Sequence, residues 1–208
     1  MDKLLFFSRD IPDGIFTVPS RLIIFVNSTS ITDTGVYTIS LTISDPLPAS
    51  VTQAFKVNVT NFAPRIVKAP PSQELVHGKS ISMNLTEYFI DDDKDPMSMT
   101  ATYSKNGGGS MTIPEGIFTK PAEFQIDVNS VGLVDVGTYT ISLLVSDSLS
   151  NVTTNFTLTI TNKCPKLVLD PLPAVTAPQY NLTSRNLSSF FIDDDGDPMT
   201  LTATYSFN

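Results

Sequence analysis

DVGTYTISLLVSD, running from Asp135 to Asp147, decides the fold. After the Asp-x-Gly-x-Tyr opening, Tyr139, Ile141, Leu143 and Val145 alternate with Thr138, Thr140 and Ser142. A period of two sends successive side chains to opposite faces, so this is a half-buried β-strand. The same sentence occurs earlier as DTGVYTISLTISD, Asp33 to Asp45. The repetition extends outward in both directions. The stretch from Ile117 to Asp147 repeats Ile15 to Asp45, and the stretch from Asn186 repeats the one from Asn84; the offset is 102 in both cases (117 − 15 and 186 − 84). A period this long and this rich in strand signals means tandem β domains rather than a short-repeat solenoid.

Other runs agree. Phe156, Leu158 and Ile160 alternate in NFTLTIT; Met97, Met99, Ala101 and Tyr103 do so in MSMTATY, and Met199, Leu201, Ala203 and Tyr205 in its repeat. Pro, Gly, Asn and Asp clusters punctuate the runs, and no helical periodicity is visible. The Gly107–Gly109 run reads as a loop, since no helix follows it to cradle a phosphate.

Composition limits the function classes. Of the 208 residues 21 are acidic and 13 basic, so a net charge of −8 argues against nucleic acid or an anionic membrane surface as partner. No apolar run is long enough to span a bilayer. MDKLLFF is too short, and too quickly interrupted by Arg9 and Asp10, to read as a secretory signal. The single cysteine, Cys164, rules out an intrachain disulfide; it is expected to be a small buried apolar residue, with pairing to another chain the alternative. His77, in the turn ELVHGKS, has no Ser or Cys motif around it and is expected to be a solvated loop residue, so no catalysis is expected.

Seven of the twelve asparagines sit in Asn-x-Ser/Thr acceptor triplets: Asn27, Asn58, Asn84, Asn151, Asn155, Asn181 and Asn186. In FKVNVTN the residues Phe55, Val57 and Val59 face one way and Asn58 the other; in SISMNLT, Ile81, Met83 and Leu85 point inward and Asn84 outward. A glycan needs the outward side. The expectation is an extracellular or cell-surface protein carrying N-linked glycans; a merely polar Thr-rich sheet face is the plainer alternative.

Two motifs carry a family resemblance. DTGVY and DVGTY resemble the tyrosine corner of immunoglobulin-like sandwiches, with Ile39 and Ile141 where antibody domains place a cysteine. FIDDDKDPM (Phe89–Met97) and FIDDDGDPM (Phe191–Met199), followed by IPEGIF, DVGTY, VSD and FTLTITN in the central copy, resemble dystroglycan-type cadherin-like domains. Lys94 departs from the glycine usual in that signature. The resemblance implies an all-β fold of tandem immunoglobulin-like or cadherin-like β-sandwiches. One complete domain, residues 63–162, is expected between two complementary half-domains, 1–62 and 163–208. It implies adhesion or structural use and no enzyme activity.

The acidic loops are the candidate metal sites. Asp91, Asp93 and Asp95 alternate, as do Asp193, Asp195 and Asp197. Crowded carboxylates repel one another unless a cation or protons neutralise them, and hard Ca²⁺ takes six to eight oxygens. The Glu and flanking helices of an EF-hand are missing; a cadherin-like site would instead recruit further oxygens from another loop or the neighbouring domain. Asp147, ending its strand, is the best candidate, with Asp45 in the preceding copy; Asp92 and Asp194 are expected to point outward. A solvated acidic turn is the alternative.

Half a sandwich cannot bury its apolar face alone. The terminal segments are therefore expected to be completed by copies of the chain associating head-to-tail, or by adjacent repeats of one long array. The functional expectation is the repeat unit of a glycosylated extracellular fibril or stalk, stiffened by Ca²⁺ at domain junctions. The alternative is a calcium-dependent adhesion or ligand-binding ectodomain of a larger surface receptor.

Overall fold

The computed structural model describes residues 15–20, 23–45, 49–168, 172–180 and 182–206. They fall into two compact bodies. The first gathers the N-terminal segment through Arg65 with Ile90–Met97 and Ser146–Asn151; the second holds the rest. The chain is all-β, as the alternation predicts, and its only helical elements among the described residues are single turns.

In the N-terminal segment β1 (Phe16–Ser20) pairs with β2 (Ile23–Val26), and β3 (Gly35–Ser44) with β4 (Ser50–Val59). The β3–β4 register is unbroken from Gly35 opposite Val59 to Ser44 opposite Ser50. Ile39 is buried, but Phe55 is 42% exposed, Ile43 50% and Val51 63%. The ladder is complete while much of its apolar surface faces solvent.

The central segment contains β5 (Arg65–Ile66), β6 (Gln73–Val76), β7 (Ser80–Asn84), β8 (Phe89–Ile90), β9 (Ser98–Lys105), β10 (Ser110–Ile113), β11 (Phe118–Ala122), β12 (Gln125–Asn129), β13 (Gly137–Ser146) and β14 (Asn151–Thr161). One sheet has the order β10-β9-β13-β14-β6, the other β11-β12-β7, and β5 pairs with β8. The β14–β6 pairing is parallel, the rest of the registered pairs antiparallel. Two sheets each with one apolar face close over a shared core. Met99, Ala101 and Tyr103 of β9, Tyr139, Ile141, Leu143 and Val145 of β13, and Phe156, Leu158 and Ile160 of β14 are all buried, as are Met83, Ile126 and Val128 of the facing sheet. Phe118 ties the sheets together, with ring centroids 4.4 Å from Tyr103 and 5.5 Å from Tyr139.

Why the chain turns where it does is visible at Asp135. Its Oδ2 accepts hydrogen bonds from the Ser130 hydroxyl and the Val131 and Gly132 amides, holding a single helical turn, Leu133–Asp135. The Tyr139 hydroxyl donates to the Asp135 carbonyl at 2.7 Å. Gly137 takes φ 149°, a conformation that favours glycine, and a Cβ there would have to push aside Asn106 Oδ1 and Lys105 Cε, each 2.9 Å away. The N-terminal copy repeats the unit: Asp33 Oδ2 accepts from Ser28, Thr29 and Ser30, and the Tyr37 hydroxyl donates to the Asp33 carbonyl at 2.7 Å.

The third segment departs from expectation. Among the described residues it contains one short pair, β15 (Lys166–Leu167) with β16 (Phe191–Ile192). The MTLTATY run forms no strand, and Met199, Leu201 and Tyr205 are 47%, 70% and 96% exposed. Its counterpart, β9, is held on both sides by β10 and β13, whereas the Met199–Tyr205 run pairs with no strand among the described residues. Without a ladder to join, alternation does not make a strand. Cys164, expected to be buried, is exposed, since the NKCP stretch after β14 runs outside any sheet.

Burial, then the neighbouring Asp135 and Tyr103 charges, raise the Tyr139 phenol to about 12. The folded value lies above the unfolded one, so the stability it contributes is intact below pH 10 and is lost as pH rises toward 12. Absorbance titration of the phenolates should show a late-titrating tyrosine that vanishes in Tyr139→Phe. That variant, which orphans the Asp135 carbonyl, should lose about 1–3 kcal/mol in urea unfolding at pH 7.

Candidate metal centres at the acidic loops

The first acidic loop leaves β8 at Ile90. Asp91 turns back on the loop, its Oδ1 accepting the amides of Asp93 and Asp95 at 3.2 Å each, and the Lys94 amide donates to the Asp91 carbonyl. Folding the loop on a carboxylate brings one oxygen from each of Asp91, Asp93 and Asp95 within 4.8 Å of one another. Asp92 points away and pairs with Arg65 through two hydrogen bonds of 2.8 and 2.9 Å.

Two neighbours complete the loop. The Phe62 amide donates to Asp93 Oδ2 at 2.9 Å. Asp147, buried just after β13, accepts the Leu149 and Ser150 amides on Oδ1 and the Asn61 side-chain amide on Oδ2 at 2.8 Å. Two oxygens in this group have no donor: Asp91 Oδ2 and Asn61 Oδ1, both buried. A buried oxygen without a donor carries its full desolvation cost.

The carboxylates respond to the crowding. Burial, followed by its side-chain hydrogen bond with Asp93, pushes Asp91 up; burial, then the charges of Asp93 and Asp147, pushes Asp95 up. Asp93 is drawn down by its hydrogen bond with Asp91 and by the Phe62 amide. Burial is the largest influence on Asp147 and acts upward, but the donors Asn61, Ser150 and Leu149 together carry it down. Asp45 is exposed and, among the described residues, joins no such group; its amide donates to the Ala49 carbonyl.

The second loop repeats the backbone. Asp193 Oδ1 accepts the amides of Asp195, Gly196 and Asp197, and the Lys163 amide donates to Asp195 Oδ2 at 2.6 Å. The Asp193 hydrogen bond, then that amide, holds the Asp195 carboxyl low. Asp194 points away to an ion pair with Lys166. The clustered ligand atoms here come from Asp195, Asp197 and His77, not from Asp193.

His77 corrects the sequence reading, since it is 4% exposed. The Lys79 amide closes a turn on the Val76 carbonyl, Gly78 takes φ 74° inside it, and the His77 amide is bound to the Thr161 carbonyl at 2.9 Å. The backbone thus clamped, the ring lies against the carboxylates. Asn61 and Asn162 were also missed. Each lies in a T-N-x-x-P stretch, Thr60–Pro64 and Thr161–Pro165, and that shared pattern was the available signal.

Six of the seven glycan acceptors fall on described residues, and all six are exposed; Asn181 lies outside them. Asn84 and Asn186 each accept, on Oδ1, the amide of the residue two positions on, at 3.0 and 2.9 Å.

Residues 63–161 match the family described as "Putative Ig domain". No curated protein matches significantly. Solved structures similar to the chain include one of Dscam isoforms (16% identity, 60% of this chain and 32% of that one, TM-score 0.39). Others are Sidekick-1 immunoglobulin domains 1–5 (16%, 73% and 30%, TM-score 0.36) and a "putative alpha-galactosidase" from Bacteroides fragilis (18%, 50% and 19%, TM-score 0.35). The chain thus spans about a third or less of these proteins' lengths. With the family match and the strand order, the central segment has an immunoglobulin-like β-sandwich fold.

Lys94 sits at φ 68° where the second loop has Gly196 at φ 84°. A left-handed residue with a Cβ costs about 1–2 kcal/mol, partly offset by glycine's greater freedom when unfolded. Lys94→Gly should therefore raise the urea midpoint by an amount worth about 0.5–1 kcal/mol, and Gly196→Ala should lower it.

Proposed function

We propose that this chain is a non-catalytic structural segment of an extracellular, N-glycosylated fibril or stalk built from tandem cadherin-like sandwiches of the dystroglycan type. In this reading Ca²⁺ stiffens successive modules. The supporting observation is the pair of buried, donorless oxygens, Asp91 Oδ2 and Asn61 Oδ1, beside Asp93, Asp95 and Asp147. An all-oxygen set carrying several negative charges suits Ca²⁺. Asp91, Asp93 and Asp95 would bind the ion, with Asn61 and Asp147 tying the chain on either side of it. The second loop offers carboxylates of the same spacing, Asp193, Asp195 and Asp197.

The exposed apolar face of β3–β4 gives the module its partners. In the central domain the equivalent face of β13–β14 is covered by a second sheet. We assign the cover of β3–β4 to the equivalent strands of another copy head-to-tail, or of an adjacent repeat. Glycans on Asn27, Asn58, Asn84, Asn151, Asn155, Asn186 and Asn181 would coat the outward faces.

Calcium should bind at roughly 10⁻⁴–10⁻³ M, the range of extracellular modules, and at a hundredfold excess over Kd should stabilise the chain by about 2.7 kcal/mol. Asp93→Asn with Asp95→Asn should abolish that gain in chemical unfolding. In electron micrographs the chain should form periodic strands in Ca²⁺ that loosen with chelator. Discrete particles indifferent to chelation would overturn the structural reading. Chain secreted from eukaryotic cells should gain mobility on enzymatic removal of N-glycans, and Asn155→Gln should remove one step of the glycoform ladder.

A further inference from the structure

We propose that His77, Asp195, Asp197 and Asn162 form a site for a divalent transition ion of the zinc class, different in chemistry from the all-oxygen Asp91 loop. The ring is the starting point. His77 is 4% exposed, yet neither Nδ1 nor Nε2 has a hydrogen-bond partner. Nε2 lies 2.9 Å from Asp197 Oδ1 and 3.6 Å from Asp195 Oδ2, but without the alignment that an N–H···O bond needs. Close and misaligned is the relation of two ligands of one ion.

The neighbours repeat the pattern. Asp195 Oδ1 is buried without a donor, and the Asp195 side chain is wholly covered. The Asn162 amide oxygen faces two acceptors, lying 3.2 Å from Asp195 Oδ2 and 2.7 Å from Asp197 Oδ2. Turning that amide over would let its nitrogen donate to both carboxylates. It would do nothing for the imidazole, which stays buried and unsatisfied either way.

The ligand types choose the ion. Calcium takes oxygen ligands, whereas imidazole nitrogen suits Zn²⁺ and its neighbours. One imidazole, two carboxylates and one amide oxygen make four ligands, the usual number for Zn²⁺, and the two carboxylates balance its charge. For bonds of about 2.1 Å, ligands of a tetrahedral ion stand about 3.4 Å apart; His77 Nε2 stands 2.9 Å from Asp197 Oδ1 and 3.6 Å from Asp195 Oδ2, and one ligand atom from each of the three residues lies within 4.8 Å of the others. Gly78 supports the arrangement: its φ of 74° makes the turn, and its open side faces the Asp195 carbonyl. The site does not depend on calcium at the first loop.

His77 is the only histidine, so the test can watch it alone. The full chain, stripped by chelator, would be titrated with Zn²⁺, Co²⁺ or Ca²⁺ while the His77 imidazole nitrogens are followed by NMR. Zn²⁺ should shift one ring nitrogen to saturation at one equivalent, and Co²⁺ should give tetrahedral visible bands. His77→Gln should weaken Zn²⁺ binding at least about tenfold and leave the calcium response that depends on Asp93 unchanged. Cys164→Ser should change neither. Ring nitrogens unmoved by stoichiometric Zn²⁺, or Zn²⁺ affinity equal in His77→Gln, would overturn the proposal. So would zinc binding lost in Cys164→Ser. A silent calcium titration with an intact zinc response would count against the calcium reading alone.

Discussion

A β-strand with one apolar face must have that face covered, and everything in this chain turns on whether it is. In β13, Tyr139, Ile141, Leu143 and Val145 are covered almost completely, each aliphatic contributing roughly 1.5–3 kcal/mol. In β3 the same sequence pattern pairs just as fully with β4, yet the neighbouring Ile43, Val51 and Phe55 remain open to water. The hydrogen-bond ladder is therefore a local property of the hairpin, while the covering is not. Backbone pairing needs only two strands; burial needs a second layer.

The loops follow from that geometry. Once two sheets are stacked, their strands end together at the poles, and connections there must satisfy backbone amides without a ladder. Asp33, Asp91, Asp135 and Asp193 do this with carboxylate oxygens that accept several loop amides each. Aspartates used in this way are structural. Asp93, Asp95, Asp195 and Asp197 are different, since they stand on loops already folded by Asp91 or Asp193. Their oxygens converge on one another rather than on amides alone, and convergence of like charge without a cation is unfavourable.

Much of this was legible in the residues. Period-two alternation located the core strands because the side-chain period of a strand does not depend on its partners. Asp-x-Gly-x-Tyr located the corner because its bonds are all within a few residues. The outward direction of Asp92 and Asp194 followed from the same parity. What failed was whatever depended on distant partners. MTLTATY has the right alternation, but strand formation needs a neighbour. Cys164 was placed by residue type, but burial is decided by what lies around it. His77 was read as solvated because turns usually are; nothing within its own turn shows that Asp195, more than a hundred residues on, will cover it.

The two acidic loops show how far identical sequence can separate in chemistry. FIDDDKDPM and FIDDDGDPM differ at one position, and both fold on their first aspartate by the same amide bonds. The ligand set of a loop is completed by what packs against it, however, and there the loops diverge. One meets Asn61, Phe62 and Asp147, which supply oxygens and an amide; the other meets a clamped imidazole and Asn162. A nitrogen in place of an oxygen is enough to change which ion is preferred, so on the proposed assignments the two loops would differ in selectivity through His77 and Asp147, the neighbours they do not share. In this chain that difference comes down to the turn Val76–Lys79, whose glycine allows a histidine to be pressed against carboxylates that would otherwise resemble their twins.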